Sequence, residues 1–250
     1  MMLTGCPKTF FLEEFMRKPT QLLALAFTAS LIGLSGSSLQ TSVAQTSMAA
    51  SAYYLPKGFK LTPFVSKTPV RSFKEDKYVM KDNIDYRAVI ETDAGRMVID
   101  LYEDDTPRTV NSFIWLTLNH YYDGIAFHRV VEGFVVQGGD PNTLKPDSRG
   151  WGQGGPGYEY CIEKRPKLNF DTKGVIGMAR QGSPQLPQNG ECTNGSQFYI
   201  TLAPATNLNQ QYTVFGKVTE GLNVLDKVVR GEPPAKPTRM KRVYIVQKKK

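Results

Sequence analysis

The chain has 250 residues, 40% of them hydrophobic, which allows one or two domains with cores of their own. Its formal net charge is +8 and its pI about 9.3, yet the basic residues are scattered and the one dense run is Lys248-Lys249-Lys250. A solvated basic surface accounts for that distribution, and no RNA-recognition or helix-turn-helix pattern is present, which argues against a nucleic-acid partner.

Residues 1–44 read as a targeting segment. Lys8, Arg17 and Lys18 give a positive start, diluted by Glu13 and Glu14, and Leu22 to Leu34 is an apolar run. That run is shorter than the ~20 residues a spanning helix prefers. Ser42-Val43-Ala44 places small residues where a signal peptidase inspects, so cleavage is expected before Gln45. The alternative is an uncleaved anchor that keeps the protein at a membrane. Cys6 precedes the apolar run, the wrong order for a lipoprotein box. Residues 45–85 carry Pro56, Pro63 and Pro69, mixed charge and the exposed-looking aromatics Tyr53, Tyr54, Phe59 and Phe64. No period emerges, and this stretch either packs along the following domain or tethers it.

The folded domain is expected over 86–250. Arg87 to Glu91, a turn at Asp93-Ala94-Gly95, and Arg96 to Tyr102 predict a hairpin. Thr106-Pro107 reads as N-cap and first helical residue, with Asp104 and Asp105 at the positive end of the dipole. Val110, Phe113, Ile114 and Tyr121 follow at helical spacing and would cover an apolar opening, with Trp115 in the core or facing a partner. The central stretch, Phe127 to Pro141, holds His128, Arg129, Phe134 and the run Val135-Val136-Gln137-Gly138-Gly139-Asp140. Its alternation predicts two strands joined at Glu132-Gly133. An arginine among aromatics on one sheet face suits a site that grips something both apolar and carbonyl-bearing.

Gly152 to Gly157 formally matches a dinucleotide fingerprint, but Pro156 lies inside it and no helix follows, so nucleotide binding is rejected. Val175 to Ala179 and Gln197 to Leu202 read as strands joined by a long loop, 180–193, stiffened by Pro184 and Pro187. Asn194-Gly195-Ser196 is a glycosylation sequon by pattern. Leu222, Leu225 and Val229 predict a second short helix, ended by Gly231 and Pro233-Pro234, and Val243 to Val246 the last strand. Short strands with turn signals and two helices predict an all-β antiparallel barrel closed at each end by a helix. Of the three cysteines, Cys161 and Cys192 fall in the domain. They match no zinc spacing, and the two histidines, His120 and His128, complete no metal site. A disulfide between them and two free thiols are both compatible with the sequence.

The central stretch, together with Gly174 to Ala179, Thr193 to Ala203 and Val214 to Val218, resembles the cyclophilins, peptidyl-prolyl cis/trans isomerases, here as an exported member of bacterial or cyanobacterial kind. The blocks stand in family order between Tyr86 and about Val246. The resemblance implies a closed eight-stranded antiparallel barrel capped by two α-helices, no cofactor and no metal. It implies Arg129 as catalytic donor, Phe134, Val135, Tyr199 and Leu208 as walls for a proline ring, and Gln137 and Gln197 as polar rim. Ala179 and Arg180 would be the backbone edge that pairs with an extended peptide, and His128 a satisfied structural histidine. Three departures stand out. Asn207 replaces a common tryptophan, which predicts weak cyclosporin binding; Tyr212 stands at the pocket histidine and Arg180 at a peptide-contacting asparagine.

Two functions follow from these residues. One is an exported isomerase, monomeric, in a periplasm or thylakoid lumen, assisting the folding of proteins whose proline-containing segments it binds. The other is a proline-peptide-binding assembly or chaperone module that depends little on turnover.

Overall fold

Strand alternation accounts for most of the architecture. The computed structural model describes residues 53–181 and 192–250. The targeting segment and the prolines of the 180–193 loop therefore lie outside the described residues. Strands β1 (Lys60–Leu61), β2 (Ile84–Thr92), β3 (Gly95–Leu101), β4 (Arg129–Val131), β5 (Val135–Gly138), β6 (Val175–Arg180), β7 (Asn194–Thr201), β8 (Val214–Glu220) and β9 (Met240–Lys249) form one antiparallel sheet. Their order is β1-β9-β2-β3-β8-β6-β7-β5-β4. The β2–β3 hairpin turns at Asp93-Ala94, and the β4–β5 hairpin at Glu132-Gly133, where Gly133 takes a φ of 67°. Both turns fall where the residue pattern puts them.

Three features of the expected barrel are corrected. The sheet has nine strands, because the extension before residue 86 contributes β1, whose Lys60 and Leu61 pair with Gln247 and Val246. The ladder is not closed: beside β4 the chain makes only isolated bridges, Ala126 to Arg239 and Val130 to Gly231. The segment opposite β4 carries Pro233, Pro234 and Pro237, which cannot donate to a ladder. One α-helix, α1 (Pro107–Leu118), is found among the described residues, and the second predicted helix is a 3-10 turn over Leu222–Lys227. Three residues per turn change the face: Val224 and Leu225 are buried, whereas Leu222 and Val229 are exposed.

Helix α1 begins at Pro107, as predicted, but Thr106 does not cap it through its side chain. Its hydroxyl donates to the Tyr102 carbonyl, and the first-turn N–H groups of Arg108 and Thr109 donate to Glu163, at 3.2 and 2.7 Å. A distant carboxylate thus meets the positive end of the helix dipole. Val110, Phe113 and Ile114 sit fully inside the sheet, with Trp115 edge-on to Phe73 at 5.7 Å. Tyr121 is buried too, but beyond the helix end.

Tyr53, Tyr54, Phe59 and Phe64 of the extension are not exposed, whereas Tyr78 is. β2, β3 and β9 are apolar on both faces: Ala88, Ile90, Ile99 and Ile245 point into the main core. Val89, Val98, Tyr244 and Val246 point outward, where Phe59 buries against them and Tyr53, Tyr54, Leu61 and Phe64 pack around it. Tyr53 meets Tyr244 at 4.8 Å, and Phe64 stacks on His120 at 4.0 Å. The stretch from Tyr53 onward packs along the domain.

Cys161 and Cys192 form a disulfide across a sequence separation of 31. Asn194 is fully buried, so the sequon faces structure. A loop of that length predicts that opening the disulfide costs about 3–4 kcal/mol, from the freedom regained by the unfolded chain. Urea unfolding with and without reductant is expected to show that loss, and Cys192→Ala to reproduce it.

Candidate active site

A single register row carries the site. Arg129 lies opposite Gln137 on β5, Gln137 opposite Tyr199 on β7, and Tyr199 opposite Gly177 on β6. Directly paired residues share a sheet face, so the four positions run side by side across four strands. The neighbouring row, Val130, Val136, Ile200 and Ile176, faces the opposite way into the main core. A one-residue slip in any ladder would exchange the two sets.

Gly177 is what lets aromatic rings lie flat over this face. A Cβ there would come within 2.7 Å of the Phe170 ring and 2.9 Å of Tyr199 Cζ. Phe170 and Tyr199 instead sit 5.5 Å apart, and Tyr212 meets Tyr199 edge-on at 5.8 Å. Val135, Phe170, Val175, Tyr199, Ala205 and Val214 form a second small core here, with Phe134, Ala179, Leu208 and Tyr212 around it. The outer face of the sheet thus has its own dry floor.

Above that floor is a pocket of about 110 Å³, lined by Arg129, Phe134, Val135, Gln137, Ala179, Arg180, Tyr199, Leu208 and Tyr212. It is far smaller than the ~300–1,000 Å³ of ordinary small-molecule sites and suits one five-membered ring. Nine of the ten predicted site residues line it. Gln197, the tenth, lines an adjoining cleft of about 530 Å³ that shares Gln137, Ala179 and Arg180 with the pocket.

The rim is held by amides. Gln137 Nε2 donates to Gln197 Oε1 at 3.1 Å, and Gln197 Nε2 donates to the carbonyls of Gly152 and Gly154 at 2.9 and 2.8 Å. Asp140, fully buried, accepts from the N–H of Asn142 at 2.7 Å and from that of Gly152. The Gly-rich loop is therefore fastened as one wall of the cleft. At the far edge a bulge between Met178 and Arg180 breaks the β6–β7 ladder at Ala179. Below it, the Thr193 hydroxyl accepts from the Gln181 N–H and donates to the Gln181 carbonyl, both at 3.0 Å.

Arg129 is half-exposed at the mouth, its Nε donating to Glu232 Oε2 at 2.8 Å and its Cζ 5.9 Å from the Phe134 ring. Arg180 lies 5.1 Å over the Tyr212 ring and donates from Nε to the Gln211 carbonyl at 3.1 Å. Tyr199 is pushed well above the ordinary phenol range by burial, so its hydroxyl stays protonated. His128 is buried and burial pushes its pKa down, so it is neutral. The expected satisfied histidine is corrected in one respect: neither ring nitrogen has a hydrogen-bond partner. Its backbone belongs to the ladder end, where the N–H donates to the Gln137 carbonyl at 3.0 Å.

The residues from 87 to 249 match the family model described as cyclophilin type peptidyl-prolyl cis-trans isomerase/CLD. This chain belongs to that family. Peptidyl-prolyl cis-trans isomerase-like 1 of Rhizopus delemar is 37% identical over 163 residues, covering 64% of this chain and 87% of the relative. The peptidyl-prolyl cis-trans isomerase of Helicobacter pylori is 38% identical over 147 residues, covering 58% and 81%. Peptidyl-prolyl isomerase CWC27 of Cryptococcus neoformans is 35% identical over 170 residues, but this chain spans only 32% of that protein. A cyclophilin of Cryptosporidium parvum, solved in the presence of the dipeptide Ala-Pro, matches with a TM-score of 0.56 and 29% identity. It covers 64% of this chain and 98% of that one. The protein is a cyclophilin-type peptidyl-prolyl cis-trans isomerase.

Asp140, Gly177 and Phe170 escaped the reading of the sequence as site residues. Asp140 carried a signal, an aspartate before Pro141 that caps the 3-10 turn Pro141–Leu144. Phe170 carried none, since it reaches the site from an irregular segment.

Gly177→Ala is expected to overpack the floor, costing about 1–3 kcal/mol in urea unfolding, and to raise KM through the displaced Tyr199 ring. The depressed pKa of His128 means the unfolded chain binds the extra proton. Its contribution to stability is complete above the unfolded value of ~6.5 and is lost as pH falls below it. Unfolding free energy is expected to decline from pH 7 to 5, and His128→Gln to flatten that decline.

Proposed function

We propose that Arg129 is the catalytic group of this isomerase and that Phe134, Val135, Tyr199 and Leu208 seat the proline ring, with Ala179 and Arg180 offering the backbone edge to an extended peptide. The observation that carries this reading is the co-location of a guanidinium and an apolar ring-sized pocket on one register row. Rotation about an X–Pro bond meets a barrier of ~18–20 kcal/mol because amide resonance must be lost. No bond is broken, so neither nucleophile nor metal is needed. The requirement is a ring held still in a dry surround and a donor that bonds better to the twisted amide than to the planar one.

Arg129 fits the donor's part because a guanidinium has five N–H groups and does not titrate away. The adjoining cleft, walled by the fastened Gly-rich loop, would take residues on one side of the proline. Tyr212 and Arg180 replace smaller polar groups at the rim and would leave catalysis in place while changing which flanking residues are favoured.

The substrates, in this proposal, are proline-containing segments of other exported proteins, and the enzyme assists their folding in a periplasm or thylakoid lumen. Support comes from the charged start, apolar run and small-residue cleavage pattern of residues 1–44, and from the disulfide, a bond that persists in oxidising compartments. The N-terminal residue of the protein isolated from its host tests this: Gln45 supports export with cleavage, and Met1 on a protein found in the soluble cytoplasm overturns it.

Arg129→Ala is expected to lower kcat/KM for an X–Pro peptide by more than tenfold, which is about 1.4 kcal/mol or more of transition-state stabilisation. A smaller loss removes Arg129 from the catalytic role. Full rescue in the host by Arg129→Ala, with failure of Phe134→Ala, would assign the protein to peptide binding instead of turnover.

A further inference from the structure

The guanidinium of Arg129 is tethered by a residue more than a hundred positions away in sequence. Val130 and Gly231 exchange two backbone hydrogen bonds, Val130 N–H to the Gly231 carbonyl at 2.8 Å and Gly231 N–H to the Val130 carbonyl at 3.0 Å. This isolated antiparallel bridge lays residues 230–232 along the outer edge of β4. On one side of the bridge Arg129 Nε donates to Glu232 Oε2 at 2.8 Å. On the other, Arg230 Nε donates to Glu132 Oε2 at 2.5 Å. The charges cross over, so each segment supplies one arginine and one glutamate. Arg230 is further tied by Nη1 to the carbonyls of Leu225 and Val228, at 2.9 and 2.6 Å. The platform beneath Glu232 is therefore fixed at three points.

We infer that Glu232 is a positioning residue for the isomerase reaction: it occupies the Nε donor of Arg129 and thereby presents the two terminal amino groups to the proline pocket. The inference rests on the catalytic role proposed above for Arg129. An arginine side chain has four rotatable bonds, and at the mouth of a pocket little else restrains them. Burial does not do so here, because the Arg129 side chain is 37% exposed. Packing on Phe134 is loose, at 5.9 Å. Of five N–H donors, Nε–H is the one whose capture fixes the plane of the group while leaving both terminal nitrogens unspent. A carboxylate suits this better than a neutral acceptor, since its bond to a cation is shorter and stronger. Its negative charge also weakens the field of the guanidinium, so the benefit lies in orientation and must appear in kcat.

The test is steady-state isomerisation kinetics on the full chain, with kcat and KM determined separately by NMR exchange on an X–Pro peptide. Glu232→Ala is expected to lower kcat five- to tenfold with KM within twofold. Glu232→Gln, which keeps an acceptor in place, is expected to recover to within threefold of the parent. Glu132→Ala breaks the other crossing pair without touching Arg129 and is expected to stay within twofold. In an Arg129→Ala background, Glu232→Ala is expected to add nothing.

Parent-like kcat in Glu232→Ala, where Arg129→Ala alone has abolished turnover, overturns the positioning role and leaves the catalytic one standing. So does a rise in kcat, which would mean that the ion pair holds the guanidinium back. Equal losses in Glu132→Ala and Glu232→Ala would reassign the effect to anchorage of the 230–232 segment. No loss in Arg129→Ala overturns the catalytic reading itself. The Nε–H resonance of Arg129 supplies a readout independent of activity: a slowly exchanging signal present in the parent, absent in Glu232→Ala and restored in Glu232→Gln is expected.

Discussion

The pairing register of β4, β5, β7 and β6 is the constraint from which the site follows. It places Arg129, Gln137, Tyr199 and Gly177 on one face and Val130, Val136, Ile200 and Ile176 on the other. The inward row belongs to the main core, and that burial keeps the ladders from slipping. The geometry of the proposed site is thereby secured by residues on the opposite face of the sheet. The outward row needs a support of its own, which Phe170, Val175, Ala205 and Val214 provide.

Much of this was legible in the sequence because strand periodicity is a local signal. Phe127 to Gln137 alternates and turns at Glu132-Gly133, and the β4–β5 hairpin forms there. The resemblance supplied the partners from distant strands, and nine of its ten positions meet at one pocket. What escaped the reading is non-local. The carboxylate on the first turn of α1 comes from Glu163, and no neighbouring residue announces it. Leu222 to Val229 has a helical apolar spacing, yet Leu222–Lys227 winds as a 3-10 helix. Aromatics in a proline-spaced extension looked exposed, although the doubly apolar strands Ala88 to Ile90 and Val243 to Val246 already called for a cover on both faces.

The chemistry asks for little machinery, and the structure spends its polar groups on holding things still. Gln197 has both amide hydrogens committed to loop carbonyls, and Asp140 is buried for the sake of two backbone N–H groups. Such fully engaged groups hold the Gly-rich wall of the cleft in place beside the pocket. The departures at Tyr212 and Arg180 stay within this plan, since each ring or cation lies against the next.

The cover formed by Tyr53 to Phe64 has a bearing on where the domain ends. The family match begins at residue 87, downstream of every residue that shields Val89, Val98, Tyr244 and Val246. A protein trimmed to that match would wet an aromatic strip on its back and bare the long flank of β9, where Gln247 and Val246 now meet β1. Bare flanks of this kind recruit strands from other molecules. Trimming would thus leave the domain prone to stick to itself, and would also take Tyr86 out of the main core and the Phe73 N–H away from the Pro156 carbonyl in the Gly-rich loop.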